Sequence, residues 1–204
     1  MTQNSRYRQV AALHAAHINK GFLATLGLPF LSLMYRAIDE AEGSVLLTEE
    51  IEGRVVGFVA GSEGMAAIYR KMLRYPARLA LSLLPSLVRP NRLMRILELL
   101  RYGGGASTEQ LPRAELLSIA VDLSVRGAGV SERLYRRLQA HFAERGVRAF
   151  RIVVGDSLAA AHRYYRKMGA SEVARIEVHA GEGSIVYVQE SRFVGNRKVR
   201  HPEH

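Results

Sequence analysis

The sequence predicts a mixed α/β fold in one domain, and three observations carry that reading. Residues 115–121 are a short apolar run that reads as a largely buried strand. A helical pattern follows, with Val130, Leu134, Leu138 and Phe142 at spacings of four. Between strand and helix lies a glycine-rich turn, Val125-Arg-Gly-Ala-Gly-Val-Ser131. Strand hairpins are predicted on both flanks, over residues 44–61 and 172–190. At 204 residues the chain is long enough for a sizeable core.

The elements follow in order. Residues 6–19 form an amphipathic helix with Val10, Leu13 and His17 on one stripe. Gly27-Leu-Pro29 interrupts it, and Pro29 suits the start of a second helix reaching about Ile38. Residues 44–51 and 54–61 pair across Glu52-Gly53, and Gly57 within the second arm marks a bulge. Residues 65–105 read as two or three helices broken at Pro76, Pro85 and Pro90, rich in both leucine and arginine. The stretch GGGASTEQ then links back to the sheet. Alternation along the central strand puts Glu115, Leu117, Ile119 and Val121 on one side, and Leu116, Ser118, Ala120 and Asp122 on the other. The helix after the turn stops at Gly146, and residues 148–154 form a strand parallel to the central one. Asp156-Ser157 caps a helix that ends at Gly169. Residues 172–180 and 183–190 make the last hairpin, and residues 191–204 are a basic tail.

Composition narrows the function classes. Hydrophobic content of 48% and charged content of 24% suit a soluble globular chain. There is no cysteine, which excludes disulfides and thiolate metal sites. His14 and His17 share a helix without a nearby carboxylate, so no metal site is expected. The N-terminus lacks the apolar core of a signal peptide and no run is long enough to span a bilayer, so the expected location is cytoplasmic. The net charge of +10 suits an anionic ligand. Without an aromatic-basic platform or zinc finger, no nucleic acid partner is expected.

The turn has its own chemistry. The first N–H groups of a helix have no partner inside it, and the helix dipole adds positive charge there. Gly127 and Gly129 permit positive φ and close approach. There is no GxGxxG and no Lys-Ser/Thr pair, so the turn is not a common nucleotide fingerprint.

Arg126-Gly127-Ala128-Gly129-Val130-Ser131 resembles the acyl-CoA signature of the GCN5-related N-acetyltransferases, Arg/Gln-x-x-Gly-x-Gly/Ala. Ser131 departs at the sixth position but keeps its N–H. The flank LSIAVDLSVRGAGV is similar to the family's strand ending, Val-Asp-x-x-x-Arg-Gly-x-Gly-Val. A second block resembles Asn-x-x-Ala-x-x-x-Tyr-x-x-x-Gly-Phe: Ala161, Tyr165 and Gly169 keep the spacing, while Leu158 and Ala170 replace Asn and Phe. The resemblance covers most of residues 44–190, the insertion excepted.

The resemblance implies a twisted mixed sheet of six to seven strands with splayed central parallel strands and flanking helices. Residues 1–190 would form that domain, with a helical insertion over about 65–105. It implies acetyl-CoA as co-substrate and no metal. The diphosphate would lie on residues Arg126, Gly127, Ala128, Gly129, Val130 and Ser131. The pantetheine arm would run along Ile119, Ala120 and Val121, with Ser157 supplying a polar contact. Direct attack by a primary amine is the implied mechanism, with Tyr165 as acid and Glu115 as base; Asp122 and His162 are the alternative bases. A longer-chain acyl-CoA, or an acyl carrier protein, is an alternative donor, and a non-catalytic acyl-CoA sensor a further reading. The acceptor is a small-molecule or peptide amine, and the basic insertion favours one bearing phosphate or carboxylate. For the insertion itself three readings stand: packing on the core or on a second subunit in a homodimer, a lid over the acceptor, or a weak contact with an anionic membrane.

Overall fold

A computed structural model describes residues 2–18, 22–87, 111–179 and 182–191. Helix α1 (Gln3–His17) starts earlier than its apolar pattern suggests, because Thr2 caps it by accepting from the Ser5 N–H. A 3₁₀ turn (Phe22–Leu26) leads to α2 (Leu28–Glu40), with Gly27 at φ 85° and Pro29 in the first turn. The hydroxyl of Tyr7 donates to Asp39 at 2.7 Å, and Arg6 reaches both Asp39 and the Leu46 carbonyl. That network ties α1 to α2 and to the first strand.

The sheet has six strands: β1 (Ser44–Ile51), β2 (Arg54–Ser62), β3 (Glu115–Val121), β4 (Ala149–Gly155), β5 (Ser171–His179) and β6 (Glu182–Glu190). Their spatial order is β1-β2-β3-β4-β6-β5, and β3/β4 is the one parallel neighbour pair. Both predicted hairpins form, and the second wedges β6 between β4 and β5. Helix α5 (Val130–Glu144) packs on one face and α1 and α2 on the other, each with its own apolar cluster. Tyr35 stands edge-on to Phe58 at 5.0 Å on the α2 face, while Val130 and Leu134 press on Gly57 from the α5 face.

Gly57 is a place where strand and helix meet closely: a Cβ there would lie 2.9 Å from Val130 Cγ1. The bulge itself falls on its neighbour, since Gly57 faces Glu49 and Val55 faces Glu50, leaving Val56 unmatched.

The described part of the insertion is α3 (Met65–Leu73) and α4 (Pro76–Leu87). Pro76 opens α4 as predicted, but α4 runs through Pro85 rather than breaking there. The pair docks on α2: Ile68 and Met72 are buried, Tyr75 donates to Glu40 at 2.6 Å, and Arg36 lies over the Tyr75 ring. Pro90, the linker at 103–110 and the tail from Arg192 lie outside the described residues. Helix α6 (Ala159–Lys167) has Leu158 at its N-cap with no side-chain bond, correcting the expected Asp156-Ser157 cap. Asp156 pairs instead with Arg175 of β5.

Candidate active site

Strand β3 follows β4 only at Glu115 and Leu116, opposite Arg151 and Ile152. Beyond Leu116 the two strands part, while β3 stays paired with β2 on its other side. Ile119 and Val121 lean toward the α5 cluster, and Ala120 is buried on the α2 side. Backbone groups released by the splay need partners.

At the end of β3, Asp122 accepts from the Ser124 N–H and hydroxyl and pairs with Arg54. Those Ser124 hydrogen bonds hold its carboxyl below the usual range. Asp122 therefore fixes the turn and is poorly suited to act as a base. Within the turn, the N–H groups of Arg126 and Ala128 are spent on the carbonyls of Leu123 and Val125. The first bond of the helix runs from the Arg133 N–H to the Gly129 carbonyl. The N–H groups of Gly127 and of Gly129 to Glu132 thus have no partner among the described residues. Gly127 and Gly129 adopt φ of 81° and 72°, and nothing lies within 4 Å of a Cβ built on Gly127. Arg126 is exposed beside them. The six-residue signature is thus narrowed: Arg126 and Ala128 contribute position, and the other residues contribute donors.

Tyr165 sits in the cluster under α5, among Tyr135, Tyr164 and Tyr187, and is 6% exposed. Its hydroxyl has no hydrogen-bond partner among the described residues. Burial, then Tyr164, holds that hydroxyl well above its ordinary range. Tyr164 donates to the Ser131 carbonyl at 2.9 Å, bracing α6 against the start of α5. Burial pushes its pKa up to about 12. His162 has both ring nitrogens engaged, with the Tyr187 hydroxyl at 3.0 Å and the Gly155 carbonyl at 3.1 Å, and so is held as a structural histidine. Ser157 is exposed in the turn after β4.

On the opposite face a cavity of about 280 Å³ opens between α1, α2, α3 and β3. Glu115, Leu117 and Ser118 reach it from β3, an arrangement strict alternation forbids. The cause is a bulge: Ala60 faces Ser118 and Gly61 faces Leu116, leaving Leu117 unmatched. The predicted sidedness of β3 is corrected accordingly, with Ser118 and Glu115 now sharing one cavity. Glu115 is held by Arg151, with Nε at 2.9 Å from its carboxylate. Burial, then the Glu115 charge, raises the Tyr69 hydroxyl above its ordinary pKa.

His14 also lines this cavity and is 3% exposed. Its Nδ1 lies 2.6 Å from the Tyr35 hydroxyl, which lies 3.0 Å from the Ser118 hydroxyl. Its Nε2 is buried, with no hydrogen-bond partner among the described residues. Burial pushes the imidazole down to about 4, so it is neutral at physiological pH. Sequence reasoning considered His14 only as a metal ligand and passed over Tyr35, Ser118 and Tyr69. The signal was there for His14: Tyr7, Val10, Ala11 and His14 recur at helical spacing, so a polar side chain ends a buried stripe. Among the described residues no group of three or more His, Asp or Glu could hold a metal ion, and no helix is long and apolar enough to cross a membrane.

The family model of the acetyltransferase (GNAT) family matches residues 17–170. No curated protein sequence matches the chain. Among solved structures, an N-acetyltransferase from Staphylococcus aureus Mu50 is similar, with a TM-score of 0.59 and 14% identity, over 93% of this chain and 94% of that one. A protein from Streptococcus mutans UA159 gives a TM-score of 0.55 at 15% identity, covering 94% and 97%. A Bacillus anthracis str. Ames protein solved in complex with acetyl coenzyme A gives 0.50 at 13% identity, covering 76% and 67%. These likenesses concern the fold, and they agree with the six-strand mixed sheet and its flanking helices. The match over residues 17–170, joined to the glycine turn at the end of β3, shows that this chain belongs to the GCN5-related acetyltransferase family.

Proposed function

We propose that the chain moves the acetyl group of acetyl-CoA to a primary amine by direct attack within a ternary complex. The observation that carries the reading is the run of free main-chain donors at Gly127 and from Gly129 to Glu132, beside a strand that has left its parallel partner. Such donors suit a diphosphate, and the exposed Arg126 adds charge there. The unpaired edge of β3 beyond Leu116 suits the amides of a pantetheine arm. Both demands are met by one ligand, a coenzyme A thioester.

The chemistry then divides among named groups. The neutral amine attacks the thioester carbonyl, the carbon–sulfur bond breaks, and the sulfur leaves as a thiolate that takes its proton from water. The main-chain N–H of Val121 or Leu123 would stabilise the developing oxyanion, since that of Asp122 is spent on the Val56 carbonyl. Tyr165 would donate a hydrogen bond to the departing sulfur. Its raised pKa keeps the hydroxyl protonated, and against a thiol of pKa ~8.5 the bond is worth more than outright proton transfer. Glu115 would take the proton the nitrogen loses, directly or through water; its ion pair with Arg151 orients it.

Tyr165→Phe tests the reading as an enzyme against that of a sensor. We expect unchanged stabilisation by acetyl-CoA and a fall in turnover of about ten-fold or more, less than the roughly 10²–10⁴ of a full acid–base contribution because only a hydrogen bond is lost. Undiminished turnover would remove Tyr165 from the reaction.

A further inference from the structure

We propose that the cavity between α1, α2, α3 and β3 binds the acceptor, and that this acceptor is a primary amine on an apolar body, its nitrogen facing Glu115. The inference rests on the acetyl-transfer reading above and adds the substrate class to it.

The walls argue first. Nine of the thirteen described lining residues are apolar, among them Phe30 and Met34 from α2, Ile68 and Met72 from α3, and Leu117 from β3. No lysine or arginine is among the described lining residues, so nothing there would neutralise a phosphate or carboxylate. The acidic acceptor expected from the basic insertion is therefore not what this cavity suits. Among the described residues of the insertion, α3 turns Met65, Ile68 and Met72 toward the site. At about 280 Å³ the space equals that of about nine waters in the liquid, enough for a branched aliphatic chain or a single ring.

Charge argues second. Glu115 in the same cavity supplies the negative charge an incoming ammonium needs. Direction argues third: the cavity lies on the α1/α2 face, away from the α5 N-terminus proposed for the donor, so the two substrates would meet at β3 from opposite faces.

The full chain decides this with two readouts. Thermal stabilisation by 2-phenylethylamine, hexylamine, phosphoethanolamine and glucosamine reports binding, and thiol release with acetyl-CoA reports transfer. We expect the two apolar amines to stabilise the protein and to exceed the other two at least ten-fold in kcat/KM. Met72→Trp, which fills the cavity, should abolish amine stabilisation and leave stabilisation by acetyl-CoA intact. Preference for phosphoethanolamine or glucosamine would overturn the inference. So would a Met72→Trp enzyme that keeps its amines but no longer accepts longer acyl-CoAs, since the cavity would then hold the donor chain. Binding of the apolar amines without thiol release would uphold the cavity's ligand class and overturn the transfer reading alone.

Discussion

His14 closes a buried stripe on α1, and its position sets a measurable pH dependence. In the folded chain burial pushes the imidazole from 6.5 down to about 4. An unfolded chain therefore takes up a proton near pH 6.5 that the folded chain refuses until about pH 4. Stability from this group is complete above 6.5 and is lost as pH falls toward 4. Tyr35, Tyr69 and Glu115 share its surroundings, but the two tyrosines stay protonated throughout this range. His14→Phe should remove the slope, so its Tm should fall less than the wild type's between pH 6.5 and 4. Parallel losses would show that the native imidazole protonates freely. At this scale the glycine turn was legible because its chemistry is local: two glycines, a following helix, and donors without partners. The His14–Tyr35–Ser118 chain was not, because its members stand 21 and 83 positions apart and meet only through packing.

Strands β2 and β3 show what an element's sequence hides. Hairpins and helices were readable from period and turn residues, and the observed bounds differ by a few positions. The bulge at Leu117 was not readable, because one unmatched residue in β3 depends on its register with β2. That single residue brings Glu115 and Ser118 into the same cavity. Glycine in β2 likewise has a tertiary cause. A Cβ on Gly61 would lie 2.6 Å from Leu138 Cδ1 and 2.9 Å from Phe142 Cζ. Gly61→Val should therefore force α5 outward and cost about 1–3 kcal/mol, read as a lower urea midpoint with an unchanged slope. An unchanged midpoint would mean that α5 is held less tightly against the sheet than the contacts require. Helix α4 passing through Pro85 is a difference of the opposite kind, in which a strong local breaker is overridden in its surroundings.

Across the whole molecule the sheet divides two tasks. The α5 face and the end of β3 present main-chain donors, and the α1/α2 face encloses a cavity with Glu115 and His14. Between them β3 parts from β4 after Leu116. Family membership was legible from two motifs in order, since both lie in local strand–turn–helix units. The acceptor side was not, because its walls come from α1, α2, α3 and β3, segments with no common pattern. The insertion, read in the sequence as basic, contributes Met65, Ile68 and Met72 to that wall. A crystal structure of the protein with coenzyme A tests the central claim most directly. The diphosphate should accept hydrogen bonds from the N–H groups of Gly127 and of Gly129 to Glu132, with the pantetheine arm entering where β3 leaves β4. A diphosphate held elsewhere, with those N–H groups still facing solvent, would contradict it.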